Sequence, residues 1–121
     1  FDLVADLAVP GQADGKLRIT QEYVARIEGW IDEANQGLEP LKTFVLPGGS
    51  EAAAWLHMSR TVCRRAERLV VALVREEPEQ TGIACLHYLN RLSDLFFVLS
   101  RQANDQGQTD VLWRPGGREA E

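Results

Sequence analysis

No apolar run in this sequence approaches the roughly 20 residues needed to cross a bilayer, and no segment has the pattern of a signal peptide. Cysteine is scarce. Cys63 and Cys85 are the only two, they fall within helical patterns, and they lack metal-type CxxC spacing. Both are read as reduced core thiols of a cytoplasmic protein. Neither His57 nor His87 pairs with a cysteine or a second histidine at ligand spacing. HExxH, ExxH, a Ser-His-Asp arrangement and GxGxxG are all missing, so no protein-held metal, triad hydrolase or dinucleotide fold is indicated. Excess positive charge is missing too. Thirteen Lys and Arg stand against 18 Asp and Glu, a net charge of -5, which argues against a nucleic-acid binder. An anionic ligand would need a local basic patch.

What is present has an ordinary globular balance. The 121 residues are 45% hydrophobic and 26% charged, which suits one domain over residues 1–121. So short a chain buries a modest fraction of its surface, and association with further copies would help it. Helical patterns dominate. Phe1, Val4, Leu7 and Ala8 follow helical spacing until Pro10 stops them, and the pattern opens in mid-helix, so an upstream segment is expected. Pro10, Gly11, Asp14 and Gly15 mark a turn. Thr20 is suited to cap a second helix with an apolar face of Tyr23, Val24, Ile27, Trp30, Ile31 and Ala34, ended by Gly37 and Pro40. Ser50 is suited to cap a third helix, closed by Glu76, Glu77 and Pro78. Its stripe of Trp55, Ser59, Val62, Ala66, Leu69 and Leu73 reads as the seam of a helix bundle. The last helix is predicted from about Gln80 to Asp105. It is apolar nearly all round, the mark of a central helix. Residues 110–121 are predicted to turn extended and then loose. Trp30, Trp55 and Trp113 are read as packing groups.

Two features stand out from this plain architecture. The connector LEPLKTFVLPGG, residues 38–49, is unusually apolar for a loop, so Leu41, Phe44, Val45 and Leu46 must bury or cover a ligand. On the third helix, His57, Arg60, Arg64 and Glu67 fall within an arc of roughly 80°, nearly opposite the stripe. Arg65 and Arg68 adjoin it. This face is either solvated or an anion site. Arginines crowded together repel unless an anion sits among them, and the guanidinium fork suits phosphate oxygens. On the last helix, Asn90, Asp94, Phe97 and Arg101 share one face. These polar groups need partners, in a buried network, on a ligand, or both. The residues themselves give a helix bundle with an arginine-rich face and no reaction.

Three blocks resemble one family in order and spacing: FVLPGG at 44–49, RTVCRRAER at 60–68 and YLNRLSDLFFVL at 88–99. The opening FDLVADLA and the late DVLWRPG resemble it also. The family is the PduO-type ATP:cob(I)alamin adenosyltransferases, and the likeness covers nearly the whole chain. It implies an all-α, up-down five-helix bundle of ferritin-like type, assembled as a homotrimer with sites at subunit interfaces. It implies transfer of the 5'-deoxyadenosyl group of ATP to the cobalt of cob(I)alamin, releasing triphosphate.

By the same resemblance, Arg64, Glu67 and Asn90 contact ATP, and Arg65 belongs to their basic cluster. Arg60 matches an arginine that pairs with an aspartate across the subunit boundary. Phe44 matches the aromatic residue beneath the corrin ring, and Phe97 another wall of that pocket. Phe44 and Arg64 are thus the expected catalytic groups, with magnesium accompanying ATP. An adenosylcobalamin-dependent mutase or dehydratase is the expected consumer. The family's Thr/Gly-rich triphosphate loop and the aspartate that pairs with Arg60 have no counterpart here. The natural protein is therefore expected to carry roughly 60 to 70 further residues upstream. The competing reading is a non-catalytic helical carrier of corrinoid, or an oligomerisation module.

Overall fold

In the computed structural model of the chain, residues 1–11 and 15–117 are described. Asp14 of the expected turn and the final residues 118–121 lie outside that range. Four α-helices follow one another, and no strand occurs among the described residues: α1 (Asp2–Leu7), α2 (Gln21–Asn35), α3 (Glu51–Glu76) and α4 (Ile83–Gln102). A 3₁₀ turn at Pro115–Gly117 follows. The all-α class agrees with the sequence patterns.

Ser50 caps α3 as its position predicts: its hydroxyl accepts from the Ala53 amide at 3.1 Å. Thr20 is the N-cap of α2, but its side chain makes no capping bond. Helix α4 is shorter than expected at both ends. Thr81 is held in a turn by the Glu77 carbonyl, so the helix starts only after the extended Gly82. At the other end, Asp105, Gln106 and Gly107 all have positive φ, which turns the chain out of the helix.

Helix α4 packs against both α2 and α3, as a central helix should. The core gathers Ile19, Cys63, Val70, Ala84, Cys85 and Leu89, with Tyr23, Ala66, Val74 and Phe96 packed around it. Both cysteines are free and buried. Burial raises the Cys63 thiol to about 11 and the Cys85 thiol to about 12, so both are inert packing groups.

Helix α3 is rotated relative to expectation. Apart from Ala66, which packs against the core, its apolar stripe is not the seam with α4: Trp55 is 65% exposed and Leu69 69%, and Val62 and Leu73 also face outward. The buried positions are Ala53, His57, Cys63 and Val70. Small side chains at Ala53, Cys63 and Ala66 let the helices approach, and the Cys63 thiol reaches the Leu89 carbonyl at 3.3 Å. Glu67, also on this side, accepts from Asn90 of α4. Periodicity identified an apolar face, but another surface of α3 has its partner within the chain. The outward strip is the kind of contiguous apolar surface that marks a contact site. Trp30, 50% exposed, departs from its expected packing role as Trp55 does, whereas Trp113, 43% exposed, packs against another ring.

The opening helix is anchored by its one buried residue, Asp6. Phe1 and Val4 point outward. The Asp6 carboxylate accepts from the Ile19 amide at 2.7 Å, from Arg18 at 2.8 Å and from the Cys85 thiol at 3.3 Å. Burial alone would raise the Asp6 pKa, but the Ile19 amide and the Arg18 and Cys85 bonds outweigh it and hold it below the usual carboxylate range. A depressed folded-state pKa stabilises the fold above the unfolded value of about 4, and that contribution disappears as pH falls through the folded value. Asp6→Ala should therefore lower stability at neutral pH by about 2–3 kcal/mol, toward the low end for a broken ion pair because Arg18 keeps partial solvent contact. Thermal melts from pH 2 to 7 would test this. The variant should show a smaller acid-side decline than the parent.

Candidate active site

Two groups of side chains converge where α3 and α4 face the connector 38–49. The first is a cleft of about 310 Å³ lined by Leu41, Thr43, Phe44, Val45, Arg60, Asp94 and Phe97. Phe44 is 75% exposed at its mouth, so the apolar connector does not bury itself within the chain. The connector is held by pairing with the tail: Val45 and Leu112 form an antiparallel bridge. The Leu46 amide donates to the Val111 carbonyl at 2.7 Å, and the Trp113 amide to the Phe44 carbonyl at 2.8 Å. The rings of Phe44 and Trp113 meet edge to face at 5.8 Å. Opposite, the Arg60 guanidinium lies 5.5 Å from the centre of the Phe97 ring, a cation–π arrangement that orients both.

The second group runs along the seam. Arg64 Nη1 donates to Glu67 Oε2 at 3.0 Å. Glu67 Oε1 accepts from Asn90 Nδ2 at 3.1 Å. Asn90 Oδ1 in turn accepts from Arg91 Nη2 at 2.7 Å, and Arg91 pairs with Asp94 at 2.7 Å. This chain starts at a half-exposed arginine and returns to the cleft through Asp94. Glu67 is largely buried and fixes both Arg64 and Asn90. The guanidinium of Arg64 thus projects at the surface with its direction set from beneath. Such a group can meet phosphate oxygens without first being ordered.

Of the residues singled out from sequence, Phe44, Arg60 and Phe97 share the cleft, and Arg64, Glu67 and Asn90 share the hydrogen-bonded chain. Arg65 joins neither group. It is exposed and, like Arg68, makes no ion pair with any described residue. The sequence reading missed Arg91, whose signal was its i,i+3 spacing to Asp94. It also missed Leu112 and Trp113 as supports of the connector, which no local pattern could reveal. No group of three or more His, Cys, Asp or Glu side chains converges as a metal site among the described residues. No helix among them is long and apolar enough to cross a membrane.

The family model for cobalamin adenosyltransferases matches residues 1–103. This chain belongs to that family. It is 56% identical over 120 residues to the corrinoid adenosyltransferase of Mycobacterium tuberculosis, covering 97% of this chain and 61% of that protein. It is 44% identical over 104 residues to the Bacillus subtilis corrinoid adenosyltransferase, covering 86% of this chain and 52% of that one. A variant of the PduO-type ATP:corrinoid adenosyltransferase from Lactobacillus reuteri, solved with cobalamin and ATP, superposes with a TM-score of 0.82 at 41% identity. That match covers 94% of this chain and 62% of the other. The chain thus spans between about half and three fifths of the length of these relatives.

Beneath the cleft lies His57, buried, with Nε2 lacking a hydrogen-bond partner and its ring 6.4 Å from that of Phe97. Burial lowers its pKa first, the nearby Arg60 charge lowers it further, and Asp110 opposes both. The folded protein therefore holds a neutral imidazole while the unfolded chain takes up a proton near pH 6.5. The stability this gives is full above that pH and declines as pH falls below it. His57→Gln should flatten the decline of melting temperature between about pH 6.5 and 5, as read by calorimetry.

Proposed function

We propose that the protein carrying this chain transfers the 5'-deoxyadenosyl group of ATP to the cobalt of a reduced corrinoid, releasing triphosphate. The observation that carries the reading is the joining, through Asp94, of an apolar cleft walled by Phe44 and Phe97 to a surface arginine pre-oriented by Glu67. One part suits a flat, largely apolar macrocycle, the other a triphosphate. The family relationship and the cobalamin- and ATP-bound structure of the Lactobacillus reuteri relative support the same assignment.

In this mechanism Co(I) attacks the ribose 5'-carbon, the carbon–oxygen bond to triphosphate breaks, and the phosphate oxygens take the negative charge. Arg64, with Arg65 beside it, stabilises that growing charge. Glu67 and Asn90 orient the nucleotide. Phe44 fills the lower axial position of cobalt with a ring that cannot ligate and keeps water out. Loss of an axial donor eases the preceding reduction of Co(II), because axial ligation strongly tunes metal potential. In this reading the reduced cobalt of the substrate is itself the nucleophile, so the reaction calls for no side chain as covalent nucleophile or general base. In this reading magnesium accompanies the phosphates of ATP.

The active assembly in this reading is a homotrimer with sites at subunit interfaces. The outward strip of Trp55, Val62, Leu69 and Leu73 supports it, as do Arg65 and Arg68, whose charges find no ion-pair partner within the described chain. The free buried thiols fit a reducing compartment such as the cytoplasm. The product would serve an adenosylcobalamin-dependent mutase or dehydratase.

Mixing protein, ATP, reductant and cob(II)alamin and following the visible spectrum tests the proposal. Adenosylcobalamin formation supports the enzyme, binding without conversion points to a corrinoid carrier, and absence of binding overturns both. Phe44→Ala should sharply reduce turnover while leaving ATP affinity nearly unchanged; equal loss of both would remove Phe44 from the corrinoid face. Arg64→Ala should cost on the order of 2–4 kcal/mol of transition-state stabilisation in steady-state kinetics.

A further inference from the structure

A cluster of buried polar groups lies just outside the cleft and contributes no atom to its walls. Arg101, near the end of α4, is buried, and its partner Asp110 has a side chain 2% exposed. Arg101 Nε donates to Asp110 Oδ2 at 2.8 Å, and Nη2 to the Glu39 carbonyl at 3.0 Å. Asn104, with no exposed surface, donates through Nδ2 to the Gly48 carbonyl at 3.0 Å and, more weakly, to Asp110 Oδ1 at 3.4 Å. Its Oδ1 accepts from the Ser50 amide at 2.8 Å. Gly49 passes so close to the Asn104 carboxamide that an added Cβ would collide with it, and its positive φ also favours glycine.

The topology of these bonds is informative. Arg101 grips the connector at residue 39, and Asn104 grips it at residues 48 and 50. Asp110 joins the two and is the first residue of the return segment. That segment then pairs, through Val111 and Trp113, with Leu46 and Phe44. The left-handed turn at Asp105, Gln106 and Gly107 is what brings Asp110 back to Arg101. A Cβ at Gly107 would press on the Arg101 guanidinium at 2.8 Å. One end of the Phe44 loop is thus tied to Arg101 on α4, the other to Asn104 just past the helix end, and the segment behind the ring to Arg101 through Asp110. Helix-mounted support is the precise way to hold a side chain that stays exposed. A buried pair with all its hydrogen bonds satisfied confers a defined geometry even where its net contribution to stability is small.

We propose that Arg101, Asn104 and Asp110 are positioning residues that set the height and tilt of the Phe44 ring, with Trp113 as the ring's backstop, and that none of the four is required to bind ATP. This inference rests on the adenosyltransferase reading and adds to it a device for Phe44.

The test uses the full-length protein and Asp110→Asn, which keeps shape and removes charge. Amide exchange at Leu46 and Trp113 should accelerate while amides of α3 and the middle of α4 keep their protection. Turnover with cob(II)alamin should fall about 10- to 100-fold for a ring displaced by a fraction of an ångström or more. The KM for ATP should stay at its parent value, and the visible spectrum of ATP-dependent bound cob(II)alamin should shift toward that of the axially ligated form. Parent-like turnover, or an equal loss in kcat and in ATP affinity, overturns the inference. Unchanged exchange at Leu46 and Trp113 does so as well. Should Asp110→Asn fail to fold, the exposed Trp113→Ala carries the test by the same kinetics and spectrum, with parent-like values again overturning it. An unmodified protein that forms no adenosylcobalamin overturns the functional reading itself, and this inference with it.

Discussion

A polar group carried on a buried helix must be given a partner, and helix α4 carries many. Ser93 and Ser100 turn inward on their own helix, donating to the Asn90 and Phe97 carbonyls at 2.7 and 2.6 Å. Gln102 reaches the Ala34 carbonyl and ties down the end of α2. Asn90 takes Glu67 from α3. Arg101 and Asn104 take the backbone of the connector. Leaving any of these groups unsatisfied would cost about 1–3 kcal/mol. Their satisfaction therefore selects one arrangement of helices and loops from the many that the apolar patterning alone would permit.

The site follows from this constraint. Pairing Asn90 with Glu67 turns the arginine face of α3 toward the edge of α4, so the guanidinium of Arg64 emerges beside the cleft. The same rotation sends Trp55, Val62, Leu69 and Leu73 outward. An apolar strip on the back of the helix that holds the arginines links the chemistry of the site to whatever covers that strip. In this chain the exposed apolar strip and the arginine face are two sides of one helix.

Electrostatics and apolar surface divide the work. The arginine chain is held from beneath by a largely buried carboxylate, which limits the conformational freedom of Arg64. The cleft relies on rings: Phe97 fixed by the Arg60 charge above and by His57 behind, Phe44 by Trp113. A neutral His57 suits that position, since a second positive charge under Phe97 would oppose Arg60.

Much of the fold could be read from residues. The Ser50 cap, the length of α3, the centrality of α4 and the all-helical class all rest on local signals: a hydroxyl three residues ahead of a free amide, a proline, a 3.6-residue period. Through their resemblance to the family, the blocks FVLPGG, RTVCRRAER and YLNRLSDLFFVL marked Phe44, Arg64, Glu67, Asn90 and Phe97 as candidates, and the structure divides these between the cleft and the hydrogen-bonded chain; residue type and order survive in sequence. Which face of α3 turns inward did not, since periodicity reports that a face is apolar and says nothing of what lies opposite. Nor did the seat of Phe44. The groups that hold it, at 39, 48, 101, 104 and 110 to 113, are far apart in the chain and meet only through a left-handed turn after α4. The sequence by itself determined the helices, and its resemblance to the family named candidate residues for the site. The tertiary structure alone decided how α3 is rotated and where the aromatic ring stands, because both depend on pairing buried polar groups across long separations.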